Sequence, residues 1–187
     1  MKYLCNSKIF LAIAIAFVCL TAPAFSLDAR VLTITDKTAS LDLGPGFQME
    51  PLGKIDANTS GMVYSNVVIN STDSPGVALL SILSLYDQTM MKLRPEVLSE
   101  MFLVGVSSKF EESGDTYIGN WSTTSSLGKE VNVYEMATND TESVGATSDN
   151  GHYYIACWNL DSSVYAIIVS GLGENSTKQA IGTLVVR

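Results

Sequence analysis

The chain of 187 residues contains one histidine, His152. Imidazole is the side chain whose proton exchange falls nearest neutral pH. A Ser-His-Asp triad would therefore depend wholly on His152, and a His-rich zinc site has no ligands to draw on. His152 stands in the turn ahead of an apolar run, where a lone histidine is more often a hydrogen-bonded surface residue, so it is read as non-catalytic. No Gly-x-Ser-x-Gly elbow and no P-loop occur. The nearest approach to a phosphate loop, Gly171-Leu172-Gly173-Glu174-Asn175-Ser176, has Ser176 in place of the third glycine, and Glu174 would repel a pyrophosphate. It reads as a strand-to-helix turn.

Carboxylates gather at Glu111-Glu112 with Asp115 and at Asp140-Thr141-Glu142. Neither group has the spaced oxygen ligands and closing glutamate of a calcium loop, so both read as solvated loop acids. A glycosidase pair could be drawn from distant parts of the chain, but a domain of this size leaves little room for a sugar cleft. No catalytic residue, metal or cofactor is expected.

The first residues, MKYLCNSKIFLAIAIAFVCLTAPAFS, join the basic Lys2 and Lys8 to an apolar run over residues 9–20 and an Ala22-x-Ala24 pattern. This reads as a signal peptide, residues 1–24, cut after Ala24 or at Ser26. A retained membrane anchor is the alternative, although spanning a bilayer takes about 20 apolar residues. A lipid on Cys19 is set aside because Phe17-Val18 ahead of it is bulky. Cleavage leaves a secreted or envelope-associated single domain, residues 25–187, and roughly 160 residues suffice for a sizeable core. Of three cysteines, Cys5 and Cys19 depart with the leader, so no internal disulfide can form. Cys157 is read as a small buried apolar residue, since no basic neighbour lowers its pKa.

Cleavage also removes two of the eleven Lys and Arg residues and none of the nineteen acids, which takes the formal charge from −8 to −10. With basic residues scattered singly, neither nucleic acid nor anionic lipid is an expected partner. Five sequons begin at Asn58, Asn70, Asn120, Asn139 and Asn175, each in or beside an expected turn. They mark glycosylated surface loops, or they arise by chance in a chain rich in Asn, Ser and Thr. Both readings stand.

The aromatic residues offer the best hint of a binding face. Trp121, Tyr134, Tyr154 and Trp158, with Tyr117, Tyr153 and Tyr165, all fall in expected strands. One reading makes the first four a ligand-facing surface for a peptide, glycan or small apolar molecule. The preferred reading is ordinary core packing.

These residues need elements to position them. Residues 151–170 hold two runs, apolar on both faces and joined by a polar turn over 159–163, which predicts a hairpin in the middle of a sheet. A second hairpin is expected from residues 62–70 and 77–86, around turn chemistry at Asp73, Pro75 and Gly76. Residues 31–35 read as a short strand, and the segment up to Gly61 as turn-rich. Pro95 opens a helix to about residue 110, with Leu98, Met101, Phe102, Val106 and Phe110 as its buried stripe. Residues 116–121 and 129–136 supply further strands. Residues 174–186 close the chain as a short helix capped by Asn175 or Ser176, with a strand as the alternative because Gly182 and Thr183 weaken it.

The expected fold is α+β, an antiparallel sheet of about six strands flanked by one long and one short helix. This order resembles the Mog1/PsbP-like superfamily. There a Gly-Phe segment such as Gly46-Phe47 leads into a hairpin, a helix and a meander follow, and a long hairpin like residues 153–169 precedes a closing helix. The resemblance implies an α/β/α sandwich over most of the chain. Members include photosystem subunits, a nuclear-transport regulator and bacterial envelope lipoproteins, so it transfers no common functional residue set. The expected role is a non-enzymatic binding or assembly module with a protein, glycan or small-molecule partner outside the cell. A structural cell-surface component or a small hydrolase using His152 are the alternatives. Membrane association is expected only through an uncleaved leader.

Overall fold

The computed structural model describes residues 31–34, 37–57, 61–74, 76–138 and 151–186. The expected leader, the sequons at Asn58 and Asn139, and the Asp140-Thr141-Glu142 cluster lie outside them. Seven strands form the main sheet: β3 (Phe47–Ala57), β4 (Met62–Ser71), β5 (Val77–Leu85), β6 (Thr116–Thr124), β7 (Glu130–Ala137), β8 (His152–Asp161) and β9 (Val164–Ser170). They are antiparallel in the order β3-β4-β5-β9-β8-β7-β6. A small second sheet joins β1 (Val31–Ile34), β2 (Lys37–Ser40) and β10 (Val185–Val186). The helices are α1 (Pro95–Glu111) and α2 (Glu174–Thr183).

The β8–β9 hairpin occupies the centre because both of its faces are apolar and both are covered. On one face Ala156, Trp158, Leu160, Ala166 and Ile168 pack with Ala180 and Ile181 of α2. On the other, Tyr153, Ile155, Cys157 and Ile167 meet Leu103 and Phe110 of α1. One sheet with a cover on each face buries both sets of side chains, as a doubly apolar hairpin requires.

Several expectations need correction. The main sheet has seven strands rather than about six, and the additional three-stranded sheet was not anticipated. The segment read as turn-rich is most of β3, an edge strand whose ladder slips between Pro51 and Gly53. Proline and glycine are poor strand formers, but at an edge bulge neither has to complete a regular ladder. The closing helix ends at Thr183, and Val185 and Val186 pair with Ser40 and Ala39. Its N-cap is Gly173, at φ 85°, rather than Asn175 or Ser176.

Helix α1 begins and ends as expected, with Pro95 in its first turn and Lys109 in its last. Its buried residues are Leu98, Leu103, Ser107 and Phe110, whereas Met101, expected in the core, points to solvent at 53% exposure. The turn ahead of β3 demands glycine at position 46. Gly46 has φ 89°, a Cβ there would lie 2.6 Å from Asp73 Oδ2, and its carbonyl accepts the Thr72 N–H at 2.8 Å.

Candidate functional site

The four aromatics considered as ligand-facing do not share a surface. Trp158 is 3% exposed and Tyr154 9%, both within the core beneath α2. Trp121 lies edge-on to Tyr154, with ring centroids 5.7 Å apart, and the Lys178 ammonium of α2 sits 4.9 Å from its ring. Tyr134 faces the other way, against Tyr117 at 5.2 Å, and its hydroxyl donates to Glu100 Oε1 at 3.0 Å. The indole N–H groups of Trp121 and Trp158 are enclosed without an acceptor among the described residues, so both rings act as apolar bulk.

His152 opens β8, with Nδ1 2.8 Å from Glu135 Oε1. The register sets His152 opposite Ala137 and Tyr154 opposite Glu135. Alternation along β8 then turns the Cys157 side chain to the opposite face from His152, so the two cannot act as a nucleophile and base. Cys157 is buried, and that burial, helped by the negative charge of Glu100, pushes its thiol pKa up. A protonated, enclosed thiol is a poor nucleophile.

A cleft of about 420 Å³ opens between the start of α1 and the ends of β7 and β8. It exists because the β7–β8 ladder stops at Val133 and Ala156, leaving the two strands to diverge beyond that pair. Glu96, Glu100, Glu130, Asn132, Cys157 and Asn159 help to line it, and Lys129 Nζ donates to Asn159 Oδ1 at 3.4 Å. His152 is not part of its lining. Carboxylates and amides therefore share this recess with Val131, Trp158 and the enclosed Cys157 thiol.

The loop acids are used structurally. Lys109 pairs with Glu112 at 3.0 Å, and Asp115 Oδ2 accepts the hydroxyl of the fully buried Tyr153 at 2.7 Å. Among the described residues no three His, Cys, Asp or Glu side chains stand together so as to hold a metal ion. Nor is any helix among them long and apolar enough to cross a membrane.

Three sequons fall within the described residues; Asn70 lies beside a turn near the end of β4, and Asn175 just after the strand-to-helix turn at 171–173. Asn175 is exposed in the first turn of α2, and Asn120 is exposed in the middle of β6. The expectation that every sequon sits in or beside a turn is corrected at Asn120, which belongs to a regular strand.

The feature the sequence reading missed is the contrast between the two edges of the main sheet. Edge strand β3 carries Glu50 and Pro51 together with a bulge, devices that discourage further pairing. Edge strand β6, TYIGNWSTT, has neither charge nor proline over nine residues, although its ladder also slips, between Tyr117 and Gly119. The Ser125 N–H donates to the Lys129 carbonyl at 2.8 Å where β6 turns into β7. Antiparallel alternation from that pair directs the main-chain groups of Thr123 and Trp121 toward β7, and those of Asn120 and Ser122 outward. Thr124 also faces outward, beside Gly182 of α2. No described strand pairs with this outer edge. No family model matches the chain, and neither a curated protein nor a solved structure matches it, so any function assigned to it rests on this geometry.

Proposed function

We propose that the chain is an extracytoplasmic assembly module, without a catalytic centre, that joins its partner by strand addition along the open edge of β6. The observation that carries this reading is the open edge itself: outward main-chain groups at Asn120 and Ser122 on a strand without charge or proline, at the other end of the sheet from an edge that carries both. An unpaired row of N–H and C=O groups is a template for an added strand, whose main-chain hydrogen bonds supply affinity. The leader-like residues 1–24 support export, with cleavage near Ala24 or Ser26. The element order and the helix-covered sheet are in keeping with a Mog1/PsbP-like fold, and we place the chain there as part of the same proposal.

Ser122→Pro tests the reading. It deletes an outward N–H and places a ring on the edge, while the β6–β7 ladder, which Ser122 does not serve, is retained. The expected result is loss of co-sedimentation with the native assembly from the protein's host, with a far-ultraviolet circular dichroism spectrum like that of the unaltered chain. Unchanged co-sedimentation of a folded Ser122→Pro chain would contradict it.

A further inference from the structure

Helix α1 is apolar on two sides. One side packs on the sheet through Leu98, Leu103 and Phe110. On the opposite side Val97, Met101 and Val104 are 36%, 53% and 44% exposed, and Ser108 continues the row. The spacing 97, 101, 104, 108 alternates four and three residues, which is the seam spacing of one helix packed along another. An apolar row left facing solvent along a helix marks a contact surface.

We infer that this outer seam pairs with the same seam of a second copy, the two α1 helices running antiparallel about a twofold axis between Met101 and Val104. Side-chain size and charge favour that occupant. In this register Met101 packs against Val104 of the other copy, and Val97 against the small Ser108. Gly105, beside Met101, leaves open space where a Cβ would stand, so the backbones can approach closely. Arg94, at the N-cap, makes no ion pair among the described residues, and antiparallel packing sets it level with Glu111 at the other copy's C-terminal end. Each interface thus gains two symmetric Arg–Glu pairs. A parallel arrangement would instead stack Glu96, Glu100 and Glu111 on their own copies. An isologous contact of this kind closes at two subunits. It uses a different element from the β6 edge and stands or falls independently of it.

Sedimentation equilibrium of the protein purified from its host tests the inference. The expected species is a dimer. Val104→Glu places a carboxylate in each half of the seam and should weaken dimerisation by about a hundredfold or more. Arg94→Glu and Glu111→Arg should each weaken it, and the double variant should recover most of the loss, a pattern that general unfolding cannot produce. A monomer at about 100 μM, a concentration at which an interface of even micromolar affinity is mostly paired, would overturn the inference. So would a dimer that tolerates Val104→Glu, or one dispersed by Ser122→Pro while Val104→Glu leaves it intact; that last result would assign the dimer to β6.

Discussion

Tyr153→Phe isolates one buried polar contact at the centre of the sheet. The Tyr153 ring is fully buried against Phe110, with centroids 5.3 Å apart, and only its hydroxyl is polar, donating to Asp115 Oδ2 at 2.7 Å. Phenylalanine keeps the ring contacts and removes the donor. A hydrogen bond to a charged group contributes about 1.5–3 kcal/mol, so a loss of about 2 kcal/mol is expected at pH 8 by urea unfolding, with the slope unchanged. Burial first, then the bond to Asp115 and its charge, holds the Tyr153 pKa well above the ordinary tyrosine value. A group whose pKa is raised by folding stabilises fully below its unfolded pKa, about 10, and its contribution is lost as pH rises further. Above pH 10 the unfolded chain releases this proton and the folded chain keeps it, at a cost of about 1.4 kcal/mol per pH unit. The phenylalanine variant has no such proton. The stability gap between the two proteins should therefore narrow from about 2 kcal/mol at pH 8 to about 0.6 kcal/mol at pH 11. A gap that stays constant over that range, or a variant as stable as the parent at pH 8, would refute the reasoning.

Two further substitution and labelling experiments follow from the same contacts. Gly46→Ala should cost about 1–3 kcal/mol in urea unfolding, because alanine is strained at φ 89° and its Cβ would stand 2.6 Å from Asp73 Oδ2; a change below about 0.5 kcal/mol, the scatter of ordinary surface substitutions, would show that the turn relaxes freely. Cys157 should resist a thiol-disulfide reagent at pH 8 in the native chain and react promptly in urea, since burial raises its pKa and encloses its sulfur. Peptide mapping that found native Cys157 labelled within minutes would contradict that placement.

The central hairpin was legible because its two runs are apolar on both faces, a pattern that calls for a cover on each side whatever the rest of the chain does. Helix α1 was legible for a similar local reason, with Pro95 at its start and apolar spacing along it. The same spacing misplaced Met101: where a helix carries two apolar stripes, periodicity alone does not say which one meets the sheet, and the buried partner proved to be Leu103. Strand β3 was hidden by Pro51 and Gly53, residues that an edge bulge accommodates. Strands β2 and β10, four and two residues long, are too short to show a period. Tyr154 and Trp158 share a face of β8, but only the packing of α2 over that face puts them in the core. The β6 edge had a local trace in its uncharged run. That it is an edge depends on pairing among strands far apart in sequence, which no local pattern contains.

Residue-resolved amide exchange of β6 tests the assembly role most directly. In the isolated chain the outward N–H groups of Asn120 and Ser122 have no acceptor among the described residues and should exchange rapidly, while those of Trp121 and Thr123, directed at β7, should be protected. In the native assembly Asn120 and Ser122 should become protected as well, in the alternating pattern of an added strand. If these two amides exchange equally fast in the assembly and in the isolated chain, β6 is not the joining edge and the proposed role is wrong.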